Sequence, residues 1–116
     1  MKVSKKNKSW GTVYFYDGED YGFTLHVYMD DKEAMILANV KVNEDKRGTG
    51  LGNKILEMAK REASAYKAKE LYLKCNINDW THDWYKRHDF EDYIMQEDSK
   101  DLMWMICKIN NEDNGN

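Results

Sequence analysis

A glycine-rich loop lies between an apolar stretch of the chain and a stretch with helical periodicity. The apolar stretch covers residues 34–42, the loop and its borders read Val-Asn-Glu-Asp-Lys-Arg-Gly-Thr-Gly-Leu-Gly over residues 42–52, and the helical pattern covers residues 51–66. Alternating glycines permit positive φ angles and let a ligand approach the backbone closely. The first turn of a helix adds unpaired N–H groups and a charge of about +0.5. The loop is therefore predicted to bind an anion.

Two common phosphate-binding motifs do not match this loop. A P-loop ends in Gly-Lys-Ser/Thr, but Gly52 is followed by Asn53 and Lys54. A dinucleotide-binding motif that starts at Gly48 requires its third glycine at position 53, where this chain has Asn53. The spacing therefore excludes a Walker A motif and a Rossmann fingerprint.

The pattern that does match is Arg/Gln-x-x-Gly-x-Gly/Ala, which is met by Arg47, Gly50 and Gly52 after an apolar strand. This pattern resembles the acetyl-CoA pyrophosphate loop of the GCN5-related N-acetyltransferase (GNAT) family. The resemblance implies a GNAT-like fold, acetyl-CoA as co-substrate, and transfer of its acetyl group to a primary amine such as a protein lysine or N-terminus.

A second block of sequence supports the same resemblance. In the family, an asparagine after the next strand is followed by a Tyr-x-x-x-Gly-Phe-like motif, and here Asn78 precedes Tyr85 and Phe90. The two blocks have the family's order and separation, and together they cover residues 34–93. Asp89 replaces the glycine before Phe90, and because aspartate enters the left-handed region with modest strain, a helix can still end there. A proline common before the loop is also missing, since this position is Glu44.

Length and composition predict a single domain over residues 1–116. A hydrophobic content of 41%, with 13% aromatic residues, favours a packed globule. The terminal segments 1–9 and 110–116 are polar and are predicted to be flexible. A net charge of −3 argues against nucleic-acid binding, although residues 2–8 are lysine-rich.

No stretch is long and apolar enough for a membrane span or a signal peptide, so we expect a cytoplasmic protein without a membrane partner. Cys75 and Cys107 lie within strand-like segments and lack C-x-x-C spacing. They are predicted to be buried free thiols. No residue pattern indicates a metal site.

The periodicity predicts an α+β fold with a mixed, mostly antiparallel sheet and two helices in the order β-β-β-α-β-α-β-β. In the third strand, the apolar residues at even positions are predicted to share one face. Because a helix separates the third and fourth strands, these two strands should be parallel. The predicted strands are residues 10–16, 21–29, 33–42, 69–75, 91–96 and 102–109, and the predicted helices are residues 51–66 and 79–88.

The resemblance also implies where the co-substrate binds. The pyrophosphate would contact the loop, and the pantetheine arm would pair with the third strand where it separates from the fourth. An asparagine would contact the pantetheine amide, although Asn78 as a helix N-cap is an equal alternative. The implied cofactor-binding residues are Val40, Val42, Arg47, Gly48, Thr49, Gly50, Leu51, Gly52, Asn53, Asn78 and Tyr85.

Tyr85 is the predicted catalytic residue. A phenol with a pKa near 10 is protonated at neutral pH and can supply a proton to the departing thiolate. The alternative is that Tyr85 is only a core aromatic. The general base stays open among acidic turn residues and one histidine, which are Asp17, Glu19, Asp20, His26, Asp30, Asp31 and Glu33.

The chain has a tight turn between its first two predicted strands, where the family usually has two helices that wall the acceptor site. We therefore expect a short form of the fold with an open acceptor side. Such a side suits a large amine substrate, or a wall supplied by a second copy in a homodimer. A different class of function, a non-catalytic acyl-CoA sensor, would use the same loop without acetyl transfer.

Overall fold

The computed structural model describes residues 1–109, which form one seven-stranded mixed sheet and two α-helices. The strands follow one another across the sheet in the order β1-β2-β3-β4-β5-β7-β6. The strands are β1 (Lys2–Lys8), β2 (Gly11–Asp17), β3 (Tyr21–Tyr28), β4 (Asp31–Val42), β5 (Glu70–Asn76), β6 (Glu91–Met95) and β7 (Leu102–Lys108), and the helices are α1 (Leu51–Ala65) and α2 (Trp80–Lys86).

The predicted fold class is confirmed. The β4–β5 pair is parallel, as the intervening helix predicts, and the other five strand pairs are antiparallel. Residues 110–116, which were predicted to be flexible, lie outside the described residues.

The prediction of a flexible arm over residues 1–9 is wrong. Residues Lys2–Lys8 form β1, which pairs along its whole length with β2, from Lys2 opposite Asp17 to Lys8 opposite Gly11. All seven residues are exposed, so backbone hydrogen bonds rather than burial hold this edge strand. Lysines on an edge strand also discourage pairing with another chain. The order of elements therefore gains one strand at its start.

Both helices pack on one face of the sheet, here named the helical face and defined by Leu25, Leu37 and Leu71. These three side chains are buried in one cluster with α1, and Trp84 and Tyr85 of α2 pack against the same cluster. The residues that α1 buries are Ile55, Leu56, Ala59 and Ala63.

The opposite face is named the open face and is defined by Phe15, Thr24, Ile36 and Tyr72. Phe15 pairs with Thr24, His26 two residues later pairs with Ile36, and Ile36 pairs with Tyr72, so these side chains share a side of the sheet. Within residues 1–109, no α-helix covers this face, because both helices pack against the helical-face cluster.

A β-bulge interrupts β4 near its end. Gly22 pairs with Lys41, but Thr24 pairs with Ala38, so β4 uses one residue more than β3 over this interval. The extra residue lies beside Asn39, whose φ of 53° falls in the left-handed region. A bulge of this kind bends the strand and reverses which side chains face the core.

Because of the bulge, the prediction that the apolar residues at even positions of this strand share one face is wrong. The residues predicted to share one face are Ala34, Ile36, Ala38, Val40 and Val42. Ala38 and Lys41 are now on the same side, so Val42 points to the opposite, helical face. There it pairs with Tyr21 and packs against the buried cluster.

Strands β4 and β5 are paired over only part of their length. Their ladder joins Ala34 to Glu70, Met35 to Leu71 and Ile36 to Tyr72, whereas β4 continues to Val42 and β5 to Asn76. Beyond the ladder, β4 and β5 offer main-chain groups to a gap between them, as the resemblance implied.

Two smaller predictions concern the cysteines and membrane association. Cys75 and Cys107 are buried free thiols, which confirms that prediction. Burial raises the pKa of both thiols above the ordinary value. Neither helix of the described region has the length and apolar character that a bilayer crossing requires.

Candidate active site

The glycine-rich loop has the backbone conformation that its sequence predicts. Gly48 and Gly50 adopt φ angles of 81° and 89°, and a Cβ atom at either position would have no neighbour within 4 Å. Glycine is therefore the residue that adopts this backbone conformation without strain, and the space above both residues is open.

The start of α1 offers unpaired donors to this space. Gly50 is the N-cap residue and supplies no side-chain cap. The helical hydrogen bond from Lys54 N to Gly50 O measures 3.1 Å, so the N–H groups of Leu51, Gly52 and Asn53 precede the helical ladder. Their partial positive charge is directed out of the helix end, where an anion can accept hydrogen bonds from them.

The rest of the loop is braced by short-range hydrogen bonds. Asn43 N donates to Asp20 O at 2.8 Å, which ties the start of the loop to the β2–β3 turn. The Thr49 hydroxyl donates to Lys46 O at 2.5 Å. The side chain of Thr49, a predicted binding residue, therefore stabilises the loop and does not line the cleft beside it.

A cleft of about 800 Å³ separates the loop and the end of β4 from α2. Apart from Thr49 and Asn78, every predicted cofactor-binding residue lines it. The lining residues are Val40, Lys41, Val42, Lys46, Arg47, Gly48, Gly50, Leu51, Gly52, Asn53, Trp80, Thr81, Trp84 and Tyr85. The sequence analysis did not propose Lys41, Lys46, Trp80, Thr81 or Trp84 for this role, although a second cation beside Arg47 was a usable signal.

The charge of the cleft suits a polyanionic ligand. Lys46 and Arg47 line it, and within residues 1–109 neither of them forms an ion pair. On the far side, Trp84 lies over the start of α1, where a Cβ on Gly52 would come within 3.2 Å of its ring. The open glycine backbone, the helix donors and the free cations together fit the diphosphate of CoA.

Tyr85 lies on α2 and lines this cleft. Its ring contacts those of Trp84 and Phe90, with centroid distances of 5.1 Å and 5.8 Å. Burial raises the pKa of the Tyr85 phenol above its ordinary value, and the nearby Cys75 and Asp79 add to this effect. The phenol is therefore protonated at neutral pH and can donate a proton.

The end of α2 confirms the expected helix stop. Asp89 has a φ of 76°, in the left-handed region where glycine is more common. The carbonyl of Tyr85 accepts hydrogen bonds from His88 N at 2.9 Å and from Phe90 N at 3.1 Å. This turn directs Phe90 into the core, where it is 1% exposed, and thereby positions Tyr85.

Asn78 does not line the cleft. Its side-chain amide donates to Asp101 Oδ1 at 3.1 Å, and its backbone N donates to Asn76 Oδ1 at 2.8 Å. The N-cap of α2 is Asp79, so the N-cap alternative for Asn78 is wrong. Asn78 instead links the loop after β5 to the segment before β7.

The candidate bases separate into two groups. Asp30, Asp31 and Glu33 lie at the start of β4, and seven residues of strand place Glu33 about 23 Å from Val40. Glu33 also forms an ion pair with Lys69 at 3.2 Å. The structure therefore excludes these three acids from the cleft.

The other candidates lie nearer to it. Asp17, Glu19 and Asp20 belong to the end of β2 and its turn, next to the start of the loop. His26 is on the open face, where its Nε2 is 3.1 Å from the Thr24 hydroxyl. Burial lowers the pKa of His26 below its ordinary value, which favours its neutral form.

Comparison with protein-family models decides the family. The model described as an acetyltransferase (GNAT) domain matches residues 9–92, which is most of the chain. The chain belongs to the GNAT acetyltransferase family. A comparison with curated protein sequences gives no match.

Several solved structures share the fold of this GNAT chain. Ard1 from Thermoplasma volcanium superposes with a TM-score of 0.69 and 18% identity, over 86% of this chain and 70% of that protein. A GNAT family acetyltransferase from Elizabethkingia anophelis, solved with acetyl-CoA bound, superposes with a TM-score of 0.66 and 19% identity. The match covers 86% of this chain and 77% of that protein. The IAA acetyltransferase from Bacillus cereus superposes with a TM-score of 0.64 and 18% identity, over 84% of this chain and 77% of that protein. At these identities the similarity concerns the fold alone.

The expected short form of the GNAT fold is confirmed at its N-terminal end. Strands β1 and β2 are joined directly by Ser9 and Trp10, and in the described part of the chain the first α-helix begins only at Leu51. The open face of the sheet therefore has no helical cover from this segment.

Proposed function

We propose that this protein transfers the acetyl group of acetyl-CoA to a primary amine in a ternary complex. The observation that carries the proposal is the composition of the large cleft. It joins an anion-binding helix start, unpaired β4 backbone beyond the β4–β5 ladder, and a half-buried phenol in the lining. These are the three groups that anchoring, aligning and protonating a thioester require.

The loop would hold the pyrophosphate. Backbone N–H groups of residues 48–53 supply donors without side-chain reorganisation, and the Arg47 guanidinium adds a charge-assisted bond. Thr49 contributes through its backbone, since its hydroxyl is engaged with Lys46. The pantetheine arm would then run along Val40 and Val42 as an added strand, which turns the thioester towards α2.

The chemical step is an attack by the neutral amine nitrogen on the thioester carbonyl carbon. A carbon–nitrogen bond forms, the carbon–sulfur bond breaks, and the amine loses its proton to water or to a base. Tyr85 supplies the proton that the thiolate sulfur takes up, and its phenol is restored from solvent. A lysine amine is neutral in only about one molecule in 2,500 at pH 7, so assisted deprotonation is worth up to about 4.6 kcal/mol.

Within residues 1–109 no α-helix covers the open face, and this gives large acceptors access to the chemical step. A protein lysine or N-terminus can approach where the family fold usually has helices, and a second copy of the chain can supply a wall for smaller amines. These alternatives predict different products and different oligomeric states, which mass spectrometry and gel filtration distinguish.

The proposed reaction is tested with purified protein, labelled acetyl-CoA and a panel of amines. We expect thiol release that depends on the amine, together with an equal amount of acetylated product by mass spectrometry. Acetyl-CoA without amine is the control for simple hydrolysis. Tight CoA binding with no thiol release on any acceptor, including peptides and cell-lysate proteins, would instead support the sensor function.

Trp80 is proposed to stack on the adenine of CoA. Its side chain lines the cleft beside Lys46 and Arg47 but is 71% exposed, and its ring meets Trp84 edge-on at 6.1 Å. Because stacking on a base contributes about 1–3 kcal/mol, Trp80→Ala should weaken CoA binding about tenfold. Binding of 4′-phosphopantetheine, which lacks adenine, should be unchanged.

Trp104 offers the matched control for Trp80. It lies on β7, outside the cleft lining, and its indole N–H donates to Gln96 Oε1 at 3.0 Å. Calorimetric titrations of both alanine variants should separate the two tryptophans. Equal losses of affinity for CoA and 4′-phosphopantetheine in Trp80→Ala would show that Trp80 does not contact the adenine.

A further inference from the structure

We infer that Lys60 is a positioning residue, which holds the turn after α2 and thereby fixes the Tyr85 phenol in the large cleft. The inference rests on the acid role proposed for Tyr85 and names a residue on which that role depends. Lys60 belongs to α1 and Tyr85 to α2. Its side chain therefore links the helix that begins at the glycine-rich loop to the helix that carries the phenol.

The Lys60 ammonium contacts consecutive residues of this turn. Its Nζ donates to the His88 carbonyl oxygen at 2.8 Å, lies 3.5 Å from Asp89 Oδ2, and lies 5.7 Å from the centre of the Phe90 ring. The Lys60 side chain is only 28% exposed, whereas that of Asp89 is 85% exposed. The exposed ion pair therefore contributes little, and the hydrogen bond to the carbonyl is the stronger link.

The turn needs a partner because it departs from helical geometry. Asp89 has a φ of 76°, a conformation that costs free energy for a residue with a side chain. Carbonyl groups at the end of a helix also lack helical partners and carry partial negative charge, which a nearby ammonium offsets. Lys60 supplies that ammonium from α1, so the turn is held in one place against the other helix.

The position of this turn is transmitted to Tyr85 through the backbone. The carbonyl oxygen of Tyr85 accepts hydrogen bonds from His88 N at 2.9 Å and from Phe90 N at 3.1 Å. A shift of His88 or Phe90 therefore moves the backbone of Tyr85 and, with it, a side chain that lines the large cleft. An error of about 1 Å in the position of a reacting group can cost about 100-fold in rate, so this link matters for proton transfer.

A double-mutant cycle tests the inference. Lys60→Met removes the ammonium and keeps an unbranched side chain. It should lower kcat about tenfold and leave the Kd for CoA nearly unchanged. In the Tyr85→Phe background the same substitution should lower kcat less than about twofold, because the group that Lys60 positions is already absent. Lys60→Gln, which is shorter and uncharged, should repeat this pattern and replaces Lys60→Met if that variant does not fold.

Arg61→Met is the matched control. Arg61 is the next residue of α1, is exposed, and forms no ion pair within residues 1–109. Its replacement should leave kcat unchanged in either background. Lys60→Arg keeps a cationic donor and should retain most of the rate. An unchanged kcat in Lys60→Met, or losses that multiply when Lys60→Met and Tyr85→Phe are combined, overturns the inference.

A structural measurement separates this inference from the proposed reaction. In protein with isotopically labelled tyrosine, the NMR signal of the Tyr85 ring should shift or broaden in Lys60→Met and stay in place in Arg61→Met. The contacts of this ring with Trp84 and Phe90 make its signal sensitive to small displacements. If the unsubstituted protein transfers no acetyl group, the proposed reaction fails, and the NMR comparison alone decides whether Lys60 fixes the phenol. A Tyr85 signal that is unchanged in Lys60→Met overturns the inference whatever the activity.

Discussion

Gly50→Asp is expected to weaken CoA binding by about 30- to 100-fold. Gly50 caps α1 at a φ of 89°, and the space where a side chain would project is open. A carboxylate placed there would occupy the anion position and repel a phosphate about 5 Å away, which costs about 2–3 kcal/mol at an intermediate effective dielectric. The same carboxylate interacts favourably with the helix start of the free protein. Because Gly50 has a positive φ, the substitution is strained and should lower the melting temperature, but the folded variant should bind CoA poorly.

Gly50→Asn is the matched control for this loss. Asparagine tolerates the left-handed conformation about as well as aspartate and has nearly the same size, but it carries no charge. Calorimetry should show that Gly50→Asn retains most of the affinity, while thermal melting shows both variants folded. If Gly50→Asp bound CoA as tightly as the unsubstituted protein, α1 would not hold the diphosphate.

The loop could be predicted from sequence because its conformation depends on local residues. Gly48 and Gly50 are needed at positive φ whatever the rest of the chain does, and α1 begins directly after them. The amphipathic helix pattern over residues 51–66 likewise gave α1 to within one residue of Leu51–Ala65. Local conformational preference and periodicity are carried by neighbouring residues, so a single sequence reveals them.

Features that depend on distant partners were missed. Strand β1 has lysines on both faces and buries none of its residues, so no period indicates it and its order comes from pairing with β2. The bulge beside Asn39 was hidden because β4 is apolar at almost every position from Ala34 to Val42. In such a stretch a one-residue insertion does not visibly shift the pattern of apolar and polar residues, although it changes which side chains face the cleft.

The site residues show the same division. Arg47 and the glycines belong to the loop itself, whereas Lys41, Trp80 and Thr81 enter the cleft only through the placement of β4 and α2. Asn78 matched a motif position, but its direction depends on where β5 ends, and there it meets Asp101. Roles assigned by motif are therefore most secure where the backbone of the motif itself makes the contact.

Tyr85→Phe is expected to lower kcat by about 100-fold or more, because general acid catalysis contributes about 10²–10⁴. Phenylalanine keeps the ring contacts with Trp84 and Phe90, so CoA affinity should change little and the fold should be retained. Tyr93→Phe, at a side chain that is 60% exposed, is the control for loss of a hydroxyl. An unchanged kcat in Tyr85→Phe would remove the phenol from the mechanism.

The pH dependence of the acetyl-transfer rate, together with the choice of thioester, distinguishes a Tyr85 that acts as an acid from one with a purely structural role. Loss of the phenolic proton destroys the acid, and burial raises the pKa of Tyr85 above its ordinary value of 10.0. The rate should therefore rise with pH as the acceptor amine loses its proton, and Tyr85 should cause no decline below about pH 10. Replacing acetyl-CoA with an acetyl thioester whose thiolate is less basic should restore part of the activity of Tyr85→Phe, because such a leaving group needs less protonation. No such rescue is expected if Tyr85 only packs against Phe90.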